Sequence, residues 1–199
     1  RRPHVLVVPT EAPNSLGSFI EIARKNPGQM NYATGGTGST QHIAAALFQE
    51  ATGTVMTQVP YRGSGVSVID VIAGRVQASF DTVAAVLPHI QAGKVRALGI
   101  ATGKRNSKLP EVPTLGEQGV NVEMVAWFAI YMPASTPMSI QQRVNREVNK
   151  LLAEPEVRAR IENFGGEITP MTQAEFIAFH TAENKRYADL IRRQNIRVD

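Results

Sequence analysis

The chain has 199 residues, 43% of them apolar and 19% charged, which is enough for one large core or two small ones. Its net charge of +4 comes from scattered basic residues that do not interleave with its few aromatics, which argues against nucleic-acid binding. With no cysteine, neither disulfide nor thiolate chemistry is open to it, and no apolar run approaches the ~20 residues of a membrane-spanning helix.

In chain order, residues 5–8 are an unbroken run of Val and Leu, the pattern of a strand covered on both faces. A helix is expected over 15–25, with Leu16, Phe19, Ile20 and Ala23 on one side, stopped by Asn26-Pro27-Gly28. A short strand over 30–33 leads into glycines interleaved with hydroxyls, and a helix follows from Thr40 with Ile43, Ala44, Leu47, Phe48 and Ala51 on its buried face. Ser39 or Thr40 is its natural N-cap. The same grammar repeats: strand 55–59, loop 60–65, helix 66–73, then strand 76–80, Asp81-Thr82 as a cap, helix 83–91 and strand 95–101. Alternation at this pitch predicts an α/β unit, a mostly parallel sheet with helices on both faces.

Residues 102–121 read as a surface connection with a short helix near 115–118, and 122–132 as one long strand. Thereafter the pattern is helical. Thr136 caps and Pro137 opens a helix with Ile140, Val144, Val148 and Leu151 inward; Pro155 starts another that Gly165-Gly166 stops. Thr172 and Glu175 form a capping box before a last helix bearing Phe176, Phe179, Tyr187, Leu190 and Ile191. Two bodies are expected: an α/β unit over 12–121, and a strand-poor one made of 1–11 and 122–199.

Three loops follow strands of the α/β unit and should converge outside the carboxyl ends of those strands. Gly35, Gly36, Thr37, Gly38 and Ser39 precede a helix N-terminus, where bare N–H groups and the helix dipole favour an anion. The loop has no Walker lysine, and Gln41 stands where a dinucleotide fingerprint needs its third glycine, so the glycines could equally serve a tight turn alone. Tyr61, Arg62 and Gly63 offer a hydroxyl, a guanidinium and backbone donors, or else a loop with Arg62 in solvent. Asp81 could meet a polar ligand group or simply cap the helix with Thr82. His42, His89 and His180 lie far apart with no carboxylate at ligand spacing, so neither a metal site nor a catalytic triad is expected, and no cofactor.

The runs NPGQMNYATGGTGSTQHIAAALFQEATG, VPYRGSGVSVIDVIAGRVQASFD, HIQAGKVRALGIATGKRNSKLPEVPTLGEQG and MPASTPMSIQQRVNREVNKLLAEPEVRARIENFGGE, in this order, resemble the receptors of tripartite tricarboxylate transporters. These are the TctC-like, Bordetella uptake gene (Bug) family of periplasmic solute-binding proteins. The resemblance implies a periplasmic-binding-protein-like (type II) two-lobe Venus-flytrap that closes on a small carboxylate ligand and hands it unaltered to membrane transporter subunits. It implies hinge strands at 5–8 and 125–132, with 12–121 as lobe two. Its ligand loops would be Gly35 to Ser39, Tyr61 to Gly63, and Asp81 with Thr82. Trp127, on the returning strand, would report closure.

What has no counterpart in this sequence is the family's N-terminal segment, which builds most of lobe one, so the first lobe is expected to be incomplete. Micromolar affinity needs about 8 kcal/mol net, while charge-assisted hydrogen bonds give roughly 1.5–3 kcal/mol each before ordering costs. Three or four such bonds from one lobe leave little surplus, and the expectation is weak binding by this chain alone. Two competing expectations come from other classes: a two-domain α/β enzyme acting on a carboxylated or phosphorylated substrate, and an interaction fragment whose incomplete lobe self-associates.

Overall fold

The computed structural model describes residues 1–197. The run at 5–8 lies within β1 (Arg2–Pro9), and its four apolar side chains are fully buried. Period-two alternation sends Leu6 and Val8 into one core and Val5 and Val7 into another. The first core also takes Leu16, Phe19 and Ala23 of α1 (Leu16–Lys25) and Ile43, Ala44 and Phe48 of α2 (Thr40–Thr52). The second takes Val68 and Val71 of α3 (Ser64–Ile72) and Val83, Val86 and Leu87 of α4 (Val83–Gln91). The result is a helix–sheet–helix sandwich with β1 in the middle.

With β2 (Asn31–Thr34), β3 (Thr57–Pro60), β4 (Ala78–Thr82) and β5 (Val95–Ile100), the strand order is β3-β2-β4-β1-β5. β2 pairs parallel with β3 and β4, and β1 runs antiparallel to both β4 and β5. Four strands therefore point one way, as alternation predicts, and β1 runs against them. The segment 1–11, expected in the second body, instead joins the α/β sheet from His4 onward, where β1 is an interior strand between β4 and β5. Only Arg2 and Pro3 pair elsewhere, with Val125 and Ala126 of β6 (Val125–Ala126).

The long strand expected over 122–132 is a second correction, since only those two residues of β6 are paired. The run from Val125 to Met132 is apolar throughout, but among the described residues 127–132 has no neighbouring strand to bond. Phe128, Ile130 and Tyr131 are 72%, 63% and 62% exposed.

The three later helices are α5 (Met138–Ala153), α6 (Pro155–Asn163) and α7 (Gln173–Arg193). Pro137 rather than Thr136 occupies the α5 N-cap, and no side chain caps it. The inward face of α5 is also displaced from the expected one: Ile140 and Leu151 are largely exposed, while Val144, Val148 and Leu152 line a groove of about 590 Å3 with Trp127 and Phe176. The capping box of α7 forms as expected: Thr172 accepts from the Glu175 N–H, and Glu175 accepts from the Thr172 N–H at 2.8 Å. The other end of α7 leaves the groove. Leu190 is buried in the core beneath α1 and α2, and Arg186 donates to the Glu123 carbonyl.

Candidate functional site

Because β2, β3 and β4 are parallel, their carboxyl ends and the N-termini of α2, α3 and α4 share one edge of the sheet. Ser39 caps α2, its hydroxyl accepting from the His42 N–H at 3.3 Å. Gly36 and Gly38 have φ of +122° and +76°, which the turn requires and L side chains avoid. The Gly38 N–H donates to His42 Nδ1 at 3.1 Å, so this half-buried ring, held neutral by desolvation, braces the loop from behind. Among the described residues, the Gly35 and Thr37 N–H groups have no protein acceptor, and the first-turn N–H groups of α2 are open as at any helix start.

Two loops touch at this point. A Cβ on Gly35 would lie 2.7 Å from Gln41 Oε1 and 3.7 Å from the Gly63 Cα. Gln41 Nε2 donates to Ser64 Oγ at 3.1 Å and to Asp81 Oδ2 at 2.6 Å. Asp81 Oδ1 accepts from Ser64 Oγ at 3.0 Å and from the Thr82 N–H at 2.7 Å. One carboxylate thus ties together the starts of α2, α3 and α4. Burial pushes the Asp81 carboxyl up, against the lowering effect of its three donors.

These contacts bear on two of the expected roles. Asp81 is 1% exposed and accepts from three donors, and it is not the α4 cap, since Thr82 takes that place. Tyr61 turns away: its hydroxyl donates to Asp70 Oδ2 at 2.7 Å, and burial, with the Asp70 carboxylate, pushes the phenol up to about 12. Arg62 is exposed at the rim beside Gly63. The sequence reading missed Gln41 and His4 as site residues, and it placed Ser64 in the second loop without its tie to Asp81. Gln41 carried a signal, since it stands at the vacant glycine position of the fingerprint, and its amide fills the gap that a glycine would leave.

Trp127 is also relocated. It packs edge-on against Phe179 at 5.4 Å and His180 at 5.9 Å in the groove against α7, away from the loop cluster.

His4 sits under α2 with no exposure, and desolvation lowers its pKa to about 4. The folded chain therefore binds fewer protons here than the unfolded chain between about pH 4 and 6.5. Stability is fully present above the unfolded value and is lost as pH falls toward the folded one, by about 3 kcal/mol in all. Asp81, shifted upward, acts in the opposite sense. Urea unfolding at pH 7 and pH 4.5 is expected to show this acid loss in the parent chain and a smaller one in His4→Phe; equal slopes would contradict it.

The tripartite tricarboxylate transporter family receptor profile matches residues 1–196. The chain belongs to that family. It is 36% identical to BugT of Bordetella pertussis over 196 residues, covering 96% of this chain and 59% of BugT. It is 34% identical to a UPF0065 protein from the tcbD-tcbE intergenic region of Pseudomonas sp. strain P51, covering 95% and 57%. The chain thus spans somewhat under three fifths of these curated relatives. Among solved structures, R. palustris Rpa4515 with adipate superposes with a TM-score of 0.89 at 31% identity, covering 98% of this chain and 66% of that one. MatC from Rhodopseudomonas palustris with bound malate gives 0.83 at 25%, covering 96% and 66%. The fold is that of the periplasmic solute-binding proteins, of which this chain covers about two thirds.

Proposed function

We propose that this chain is the greater part of an extracytoplasmic receptor that captures a small organic acid and passes it, chemically unchanged, to the membrane subunits of a tripartite tricarboxylate transporter. The observation that carries this is the convergence of three helix N-termini, with uncommitted N–H groups at Gly35 and Thr37, in a family whose solved members include one with adipate and one with malate. In this reading the loop from Gly35 to Ser39 and the backbone at Arg62 and Gly63 receive a carboxylate, while the Thr82 N–H stays bound to Asp81. The Arg62 guanidinium adds charge from the rim, and Asp81 holds the three loops in register. The units are lobe two, built on 12–121 with β1 as an interior strand, and lobe one, contributed by 122–197 and the start of β1. The periplasm is the compartment this role requires.

Thermal shifts across mono-, di- and tricarboxylates, adipate and malate among them, with matched neutral amides as controls, test the reading. Saturable stabilisation by a subset of the acids at millimolar concentration, and none by the amides, is expected. Equal shifts with acids and amides, or none, would contradict it, and submicromolar affinity would overturn the expectation that one lobe binds weakly.

A second reading, self-association, rests on the groove between 127–132, α5 and α7, where Phe128, Ile130, Tyr131 and Ile177 are exposed together. Sedimentation velocity over a concentration series is expected to show a dimer that Ile130→Lys abolishes; a monomer throughout would rule this reading out.

A further inference from the structure

His4 is a fully buried polar residue at a place where the two bodies and the carboxylate loops meet. Its backbone N–H donates to the Met124 carbonyl at 3.2 Å, on the segment returning to lobe one, and its carbonyl accepts from the Ala101 N–H at 2.8 Å. In strand register it stands opposite Thr82, the N-cap of α4. Its ring reaches across to α2, where Nε2 lies 3.0 Å from Thr40 Oγ1. Thr40 is the first residue of that helix, directly after the Ser39 cap, and it is exposed on the loop side. The other ring nitrogen, Nδ1, is buried without a hydrogen-bond partner.

A polar ring is expensive to bury, and a phenyl or leucine side chain would fill the same space at no such cost. The residue is thus costly as filler, and its side-chain hydrogen-bond partner sits on the turn that faces the candidate anion. Two residues upstream, Arg2 and Pro3 pair with β6, so any rotation of the second body about that pairing acts on β1 next to His4.

We infer that His4 is a positioning residue for the carboxylate seat: through Thr40 it fixes the first turn of α2 to the strand that crosses between the two bodies. The inference rests on the proposed carboxylate receptor. It assigns His4 no contact with ligand. Its effect is to hold the Thr40 hydroxyl and the neighbouring open N–H groups at a fixed angle to β1, so that the α2 turn and the crossing strand move as one piece when the bodies close.

The test is a double-mutant cycle read by glutarate affinity, with glutaramide as the neutral control, alongside 15N spectra of the imidazole. Thr40→Val is expected to weaken glutarate binding about tenfold, the size of one hydrogen bond's contribution, and to lower the melting temperature because it leaves the buried His4 Nε2 unpaired. Thr40→Ser restores binding. His4→Phe gives the same loss, and the double variant is no worse than either single one, since both remove the same link. In the parent chain the His4 ring nitrogens shift on saturation with glutarate, which a space-filling ring would not do. Parent-like affinity in Thr40→Val, additive losses, or imidazole signals unmoved at saturation would overturn the inference while leaving the receptor reading intact. A parent chain that binds no carboxylate would overturn the receptor reading itself, and this inference with it. Should His4→Phe fail to fold, the two Thr40 variants and the spectra decide the matter.

Discussion

Asp81→Ala is expected to destabilise the chain by about 3 kcal/mol and to abolish saturable carboxylate binding. The carboxylate accepts from Gln41, Ser64 and the Thr82 N–H. Alanine leaves an amide, a hydroxyl and a backbone donor without their acceptor in a site that is 1% exposed at Asp81 itself. Each unsatisfied buried group costs roughly 1–3 kcal/mol, and removing an ion whose burial already raised its pKa returns part of that. Asp81→Asn keeps one acceptor oxygen but sets an amide N–H against the Gln41 amide, so an intermediate loss is expected. Urea unfolding at pH 7 measures both. A loss below about 1 kcal/mol for alanine would mean that the three helix starts are held by packing alone.

Leu190→Ala is expected to cost about 3 kcal/mol, within the range for a fully buried leucine whose site collapses incompletely. Leu190 is the one fully buried side chain of α7 and belongs to the core that β1 shares with α1 and α2. Beside it, the Arg193–Glu50 ion pair at 3.1 Å is exposed on both sides and contributes at most about 1 kcal/mol. Loss of the leucine should therefore release the end of α7. Hydrogen exchange should rise over 187–196 and stay protected in β1 and β4. Uniform loss of protection would show that α7 and the sandwich unfold as one unit, and an unchanged midpoint would show that the anchor lies elsewhere.

Much of the fold is legible because burial writes a period into the sequence. The runs at Leu16–Ala23 and Ile43–Phe48 mark helix faces, and the Thr172 and Glu175 capping box marks a helix start to the residue. The unbroken run at 5–8 announced a strand covered on both faces, but its place in the sheet depends on which strands flank it. That is a matter of topology with no local signal. The strand expected over 122–132 failed for the opposite reason: its apolar run is intact, yet a strand exists only where a neighbour accepts its backbone bonds, and here just Val125 and Ala126 have one. In the site, glycines announced the α2 turn because positive φ at Gly36 and Gly38 selects for them. The direction of a side chain leaves no such mark. Tyr61 facing Asp70, and Asp81 facing inward, depend on partners at positions 70, 41 and 64. His4 was illegible because a lone histidine next to an apolar run has no periodic context.

The central claim is that the starts of α2, α3 and α4 form one seat for a carboxylate. Backbone amide NMR of the 15N-labelled chain, titrated with glutarate and separately with glutaramide, tests it most directly. The account predicts saturable shifts confined to residues 35–41, 62–65 and 81–84, largest at Gly35 and Thr37, and absent with the amide. Saturable shifts centred instead on the groove at 127–132 and 176–180, or identical responses to acid and amide, would contradict it.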